Sequence, residues 1–229
     1  MVDIVNCSKC KNNSILFIAT SGTNLCKSHF FEKFEKTARQ TIREFGLLEK
    51  TKRLGVALSG GKDSTATLYM LHPLAQEMSI ELIAITVDEG IAGYRDKSIE
   101  VASKICKDLG VEHVVKSYKD EIGFKIDDIV KIDERDPACS YCGVFRRWVL
   151  NKAAKELSLD KLALGHNLDD TSQTILMNIL RNEPFRLARF GATSGIVDDE
   201  SFVPRIKPLM RIPEKWVAVW ALLNDLPIH

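Results

Sequence analysis

The sequence predicts an α/β protein built on a parallel, doubly wound sheet, with a small cysteine-rich module at its N-terminus. Three observations carry this. From Lys52 onward, short apolar runs alternate with segments of helical periodicity, the pattern of repeated β-α units. One of these runs, Leu54-Gly55-Val56-Ala57-Leu58, breaks directly into Ser59-Gly60-Gly61-Lys62-Asp63-Ser64, the turn chemistry of a strand-to-helix junction. Residues 1–30 instead hold two Cys-x-x-(Cys/His) pairs.

The elements follow in order. Cys7-Ser8-Lys9-Cys10 and Cys26-Lys27-Ser28-His29 offer four soft or borderline ligands, Cys7, Cys10, Cys26 and His29, suited to a closed tetrahedral Zn²⁺ site. The competing reading is a set of buried free cysteines. A strand at 15–19 and a turn at 21–24 would bring the pairs together. A knuckle of residues 1–30 is too small to bury its own core, so the metal would supply its folding energy. Residues 31–50 read as a linking helix, with periodicity from about 29 to 47. Its Lys33, Lys36, Arg39 and Arg43 suit a solvated face better than a nucleic-acid contact. Residues 51–229 form the α/β domain. Strands are expected at 54–58, 81–87, 111–116 and 161–164, and helices at 64–77, 96–109, 143–157, 170–180 and 213–223.

Composition sets outer bounds. The chain has 229 residues, 45% hydrophobic and 28% charged, enough for a real core and not disordered by composition. A net charge of +1 excludes no partner. No apolar stretch approaches membrane-spanning length, and no basic-then-apolar leader opens the chain. Six cysteines without a secretory signal point to metal or redox chemistry, so a cytoplasmic location and no membrane partner are expected.

Ligands of parallel sheets bind beyond the carboxyl ends of the strands. The 59–64 loop, the turn at Asp88 and the turn after Leu164 all fall there. The glycines of the loop let backbone approach an anion, and its N–H groups with those of the following helix point at it. This is not a Walker A loop, since Val56 holds the place of its first glycine and Asp63 that of its Ser or Thr. Cys139-Ser140-Tyr141-Cys142 precedes Gly143-Val144-Phe145-Arg146-Arg147. The pair reads as a redox disulfide, half of a metal site or two ligands of an iron–sulfur cluster, and the arginines favour thiolate in each case. Two small core residues at a helix start are the alternative. Cys106 shares a helical face with Ile99, Ala102, Ile105 and Leu109 and is expected in the core. In Leu164-Gly165-His166-Asn167-Leu168-Asp169-Asp170, Asp170 with Gln173 also fits a capping box. Arg181, Arg186, Arg189, Arg205, Lys207 and Arg211 gather around the glycine-flanked segment 191–195, which suits an unstacked nucleotide. Glu183, Asp198, Asp199 and Glu200 dilute that charge, so an ordinary mixed surface fits equally well.

The string SGGKDS resembles the SGG-x-DS loop of the N-type ATP pyrophosphatases, which split ATP between the α and β phosphates and adenylate a carbonyl oxygen. With the N-terminal knuckle, CSYCGVFRR and GHNLDD, essentially the whole chain resembles the tRNA 2-thiouridine synthetases of the TtuA/NcsA type, and the branch acting on the wobble uridine most. The resemblance implies a Rossmann-like PP-loop fold. It places ATP phosphates on Ser59, Gly60, Gly61, Lys62, Asp63 and Ser64, and adenine near Ala57 and Ile85, with Gly165 lining the pocket. It makes Lys62 and Arg146 the groups that neutralise pyrophosphate. Asp170 becomes the catalytic carboxylate, holding Mg²⁺ or a proton. A [4Fe-4S] cluster on three cysteines, two matching Cys139 and Cys142, would carry the sulfur that attacks C2 of the O2-adenylated uridine. The implied partners are tRNA, a sulfur donor (sulfide or a thiocarboxylated ubiquitin-like carrier) and a second copy of the chain in a homodimer.

The chain departs from that pattern in three places. The third cluster cysteine is expected shortly after the segment 222–227, and the sequence reads to His229 without it. A second knuckle pair expected at the C-terminus is absent as well, so a C-terminally truncated chain is the expectation. Trp216 stands where a polar residue is expected and forms an i, i+4 pair with Trp220 that would pack the last helix onto the sheet. An adenylating ligase with another acceptor, lysidine-synthetase-like or ammonia-using, and a non-catalytic zinc-knuckle RNA-binding protein are the alternatives.

Overall fold

The computed structural model describes residues 5–91, 95–124, 138–194 and 202–228, the side chains of residues 138–140 excepted. Strand β1 (Leu16–Ile18) pairs antiparallel with β2 (Thr23–Leu25), turning through Gly22 at φ 62°. The segment expected as one strand and a turn is thus a hairpin, with Thr23 and Asn24 recruited into its second strand. Helix α1 (Lys27–Glu44) follows and buries Phe30, Phe34, Ala38, Thr41 and Ile42, a stripe at helical spacing. It stops short of the expected 47, and the chain turns out through Gly46 at φ 57°.

A six-stranded sheet forms the centre, in the order β5-β4-β3-β6-β8-β7. Its strands are β3 (Arg53–Ala57), β4 (Glu81–Asp88), β5 (Glu112–Ser117), β6 (Lys161–Ala163), β7 (Thr193–Ser194) and β8 (Arg205–Ile206). All neighbours run parallel except β7, which pairs antiparallel with β8. The expected parallel sheet is present, and β7 and β8 are additions to it. Two residues each give no periodicity from which to read a strand.

The helices are α2 (Lys62–Glu77), α3 (Arg95–Leu109), α4 (Tyr118–Ile122), α5 (Ala138–Glu156), α6 (Leu168–Leu180), α7 (Pro184–Ala188) and α8 (Glu214–Leu223). Alternation along β4 divides the core. Ala84 joins a cluster with Leu54, Val56, Leu58, Leu68 and Ile105. Ile83, Ile85 and Val87 join another with Val149, Leu150 and Ala153 of α5. Both faces of the sheet are therefore covered, the doubly wound arrangement. Trp216 and Trp220 of α8 correct the expectation that they pack on the sheet. Trp220 stacks on Phe34 at 4.9 Å between ring centroids, and Trp216 meets Phe30 edge-on at 6.2 Å, so the pair packs α8 on α1. Among the described residues no helix is long and apolar enough to cross a membrane.

Candidate functional site

The carboxyl end of β3 feeds the Ser59–Ser64 loop into α2. Gly60 takes φ 82°, and a Cβ there would lie 2.7 Å from the Ser98 carbonyl oxygen, so only glycine fits. The loop is closed from within. The Ser64 hydroxyl accepts the Ser59 N–H at 3.1 Å and donates to the Gly61 carbonyl at 3.0 Å. Gly61 is the N-cap of α2 and supplies no side-chain cap, leaving the first N–H groups of the helix available to an anion. The helix therefore starts at Lys62, two residues before the expected 64.

The turn after β6 closes on this loop. A Cβ on Gly165 would lie 2.8 Å from the Asp63 carbonyl carbon and the Ser64 nitrogen. Asn167 caps α6, its Oδ1 accepting the N–H groups of Asp169 and Asp170, while Asp170 Oδ2 accepts the Asn167 N–H at 3.0 Å. The capping box is real, but Asp170 is its third helical residue and not its cap, and Gln173 is no part of it. Asn167 Nδ2 donates to Asp63 Oδ1 at 3.1 Å, and Asp169 Oδ2 accepts the first N–H of α8 from Glu214 at 2.6 Å. Lys62 completes the ring of contacts, donating to Asp63 at 2.9 Å and Glu214 at 2.7 Å. Burial opposes its charge, but the Glu214 and Asp63 carboxylates prevail and raise its pKa. The structure thus places the Lys62 ammonium in an ion-pair network joining α2 to α8, behind Asp63 and not on the lining of the cavity described below.

Helix α5 brings the cysteine motif in. Cys142 is 9% exposed, and its Sγ accepts from Arg146 Nη2 at 3.2 Å. The Tyr118 hydroxyl donates to the Cys142 carbonyl at 2.9 Å. The side chain of Cys139 lies outside the described residues. Arg146 is oriented by Glu89, whose Oε1 accepts from its Nε at 2.7 Å. Glu89 is 0% exposed and is also ion-paired with Arg95, which in turn reaches the Ser59 carbonyl at 3.4 Å. Burial works against the charge of Arg146, while Glu89 more than offsets it and raises the pKa. One buried carboxylate therefore links the loop after β3 to the cysteine helix. Cys106 is 1% exposed in the core, and burial pushes its thiol up to about 11, as the helical-face spacing leads one to expect.

A cavity of about 430 Å³ opens where these parts meet, lined among others by Ala57, Ser59, Asp63, Ser64, Arg146 and Gly165. That volume suits a nucleotide-sized ligand. Ile85 does not reach its surface: it is 1% exposed, paired with Ala57 in the sheet and packed against α5. Asp170 instead lines a neighbouring cavity of about 240 Å³. Of the residues singled out in the sequence, Ala57, Ser59, Asp63, Ser64, Arg146 and Gly165 converge on the larger cavity, and Lys62, Ile85 and Asp170 do not. Glu89 and Arg95 had no sequence signal beyond their place at strand and helix ends.

The N-terminal ligands also converge. Cys7 Sγ lies 3.4 Å from His29 Nδ1, Cys26 Sγ 3.3 Å from the same nitrogen, and Cys10 Sγ 3.7 Å from Cys26 Sγ. All four donor atoms lie within 4.8 Å of one another. The edges of a tetrahedron around Zn²⁺ with these ligands measure about 3.5–3.8 Å. The donor set and its spacing fit one tetrahedral metal ion.

A model of the PP-loop domain matches residues 29–226. The chain is 42% identical to the tRNA 2-thiolation protein NcsA of Haloferax volcanii, over 98% of this chain and 74% of that protein. The chain belongs to the NcsA-type tRNA 2-thiolation family. The cytoplasmic tRNA 2-thiolation protein 1 of Danio rerio is 36% identical, over 97% of this chain and 66% of its own length. Against the solved U34-tRNA thiolase NcsA of Methanococcus maripaludis with its [4Fe-4S] cluster, the TM-score is 0.86 at 38% identity, covering 100% of this chain and 75% of that one. An ammonia-dependent NAD synthetase of Campylobacter jejuni shares the fold alone, at TM-score 0.52 and 14% identity. Within this NcsA-type chain, the PP-loop is the segment Ser59–Ser64 and the Cys-x-x-Cys pair opens α5.

Proposed function

We propose that this chain is an ATP-dependent tRNA-uridine 2-sulfurtransferase of the cytoplasm. The observation that carries the reading is the convergence on one cavity of the Ser59–Ser64 loop with Arg146, which is bonded to Cys142 Sγ. ATP would lie with its phosphates on the loop and the open N-terminus of α2. Uridine O2 attacks the α-phosphorus and pyrophosphate leaves, its developing charge met by Arg146, which Glu89 holds in place. Sulfide then adds at C2 and AMP leaves with the former O2, so uridine, ATP and sulfide give 2-thiouridine, AMP and pyrophosphate. Cys139 and Cys142, with the third cysteine that the resemblance expects, would hold the [4Fe-4S] cluster that supplies the sulfur. Asp170, beside the loop through Asn167 and Asp63, is assigned Mg²⁺ or the uridine proton. Lys62 serves pyrophosphate after release from Glu214. Ile85 bears on adenine through the strand that carries Ala57. Zn²⁺ on Cys7, Cys10, Cys26 and His29 has a structural role. The working parts are the knuckle 1–30, the linking helix 31–50 and the catalytic domain 51–229.

Anaerobic incubation of the protein with unmodified tRNA, ATP, Mg²⁺, iron and sulfide, followed by nucleoside mass spectrometry, tests this. 2-Thiouridine that requires ATP, with AMP formed in equal amount, is the expected result, and fragment mapping should place it at the wobble uridine. Sulfur incorporation without ATP, or full activity in Cys139→Ala, would remove the adenylation or cluster role respectively. Sulfide and a thiocarboxylated carrier are compared as donors in the same assay. The homodimer is proposed on the exposed apolar face of Leu176, Ile179 and Leu180 in α6 with Phe185 beyond it. Leu180→Glu should then give a monomer by light scattering.

A further inference from the structure

Arg147 of α5 and Arg205 and Lys207 around β8 line the same 430 Å³ cavity as the PP-loop. Among the described residues, no salt bridge joins any of the three to a carboxylate. Lys207 is only 8% exposed, and its ammonium is held by the Gly191 carbonyl at 3.0 Å and the face of Phe190 at 4.1 Å. Burial pushes the pKa of Lys207 down and the Arg205 cation adds to the effect, while Arg205 is lowered by burial and by Arg147. Two cations that lose hydration on this wall, Arg205 beside the exposed Arg147 and Lys207 beside Arg205, are relieved by an anionic ligand. The PP-loop and the open end of α2 already provide for one set of phosphates. The wall comes from other elements and continues past Lys207 and His166 into the 240 Å³ cavity with Asp170, Thr174 and Phe190. That smaller volume lies below the usual size of a whole cofactor site and suits a single nucleotide base.

We propose a nucleotide subsite that adjoins the ATP cradle, on the part of the shared cavity wall that the PP-loop does not supply. Arg147, Arg205 and Lys207 receive the phosphodiester of an RNA strand, and the adjoining cavity between His166, Asp170, Phe190 and Lys207 takes the extruded pyrimidine. This deepens the thiolase reading and rests on it. Extruding the base brings a face of it to the ring of Phe190 and places its carbonyls within the two side chains, His166 and Lys207, shared by both cavities.

The test uses the full chain, unmodified tRNA transcripts in anisotropy titrations across salt, and a non-hydrolysable ATP analogue in calorimetry. Arg147→Gln and Arg205→Gln should each weaken tRNA binding about tenfold and reduce the log–log salt slope by about one, a larger loss than for the ATP analogue. Arg205→Lys keeps the charge and should retain the slope, which separates loss of a phosphate contact from a disturbed fold. A transcript carrying photoreactive 4-thiouridine at the target position should cross-link to the peptide containing Phe190. Unchanged tRNA affinity and slope, a loss confined to the ATP analogue, or cross-links mapping only elsewhere would overturn the subsite. Wild-type protein that binds no tRNA would overturn the thiolase reading with it, whereas wild-type binding and thiolation that ignore the wall overturn the subsite alone.

Discussion

Gly165 leaves no room for a side chain. Its missing side chain lets the turn after β6 lie directly on the PP-loop, with backbone atoms 2.8 Å from where a Cβ would be. Gly165→Ala must push that loop aside, at about 1–3 kcal/mol, and ATP-analogue affinity should fall about tenfold; thermal melting and calorimetry read the two effects. Glu89 is constrained by charge instead. As a fully buried carboxylate between Arg95 and Arg146, it leaves two cations without their partner when changed to Gln, and breaking such a buried pair costs about 3–5 kcal/mol. Urea denaturation of Glu89→Gln checks this, and a loss under 1 kcal/mol would mean that water reaches the pair. These residues differ in how legible they were. Arg146 declares itself by standing one helical turn after Cys142. Glu89 does not, since a glutamate ending a strand is ordinary until α3 and α5 close over it. The ion pair of Lys62 was hidden for a related reason, because its partner Glu214 lies 152 positions away.

At the scale of elements, the long periodic segments were legible to within a few residues, and the boundaries moved where a cap took over. Asn167 draws the start of α6 back to Leu168, and Gly61 draws α2 back to Lys62. The pair β7 and β8 was not legible, since its four residues are strands only because β6 offers an edge. One inter-element contact predicts a pH response. The Asp160 carboxylate accepts the backbone N–H groups of Lys52 and Arg53 at 2.7 and 2.8 Å, tying the turn before β6 to the start of β3. The hydrogen bonds from Arg53 and Lys52 hold its pKa below the ordinary carboxylate range. Because the folded pKa is the lower one, the stabilisation is complete above about pH 4 and is lost as acid carries the pH down through the folded value. Asp160→Asn should flatten that acid limb in melting curves taken from about pH 5 to pH 2, and an unchanged limb would assign it to other carboxylates.

At the scale of the molecule, the two faces of the sheet carry different duties. One packs against α5, where Cys142, Val149 and Leu150 join Ile83 and Ile85, so the cysteine helix sits on the sheet without an intervening loop. The other packs α1, α2 and α8, and its hydrophobic cluster runs without a break into the N-terminal hairpin. Leu16, Ile18, Leu25 and Cys26 belong to the same cluster as Phe34, Leu54 and Val56. Chelation should therefore do more than loosen the knuckle. Removing the metal from the protein, expected at one zinc per chain by elemental analysis, should lower the melting temperature of the whole domain by several degrees, since about 1 kcal/mol moves a domain of this size by about 2–4 °C. A domain transition untouched by chelation would show the knuckle to be an independent unit.

That shared cluster gives the hairpin a bearing on how much of the protein a cell retains. Newly made chains that acquire no metal would leave one end of the main cluster open to solvent and to proteases, and a loss of 1–2 kcal/mol is enough to change abundance several-fold, roughly speaking. Metal supply would then set the size of the pool through turnover, before any effect on an individual molecule's rate, and pulse-chase in metal-limited cells would show it as a shortened half-life.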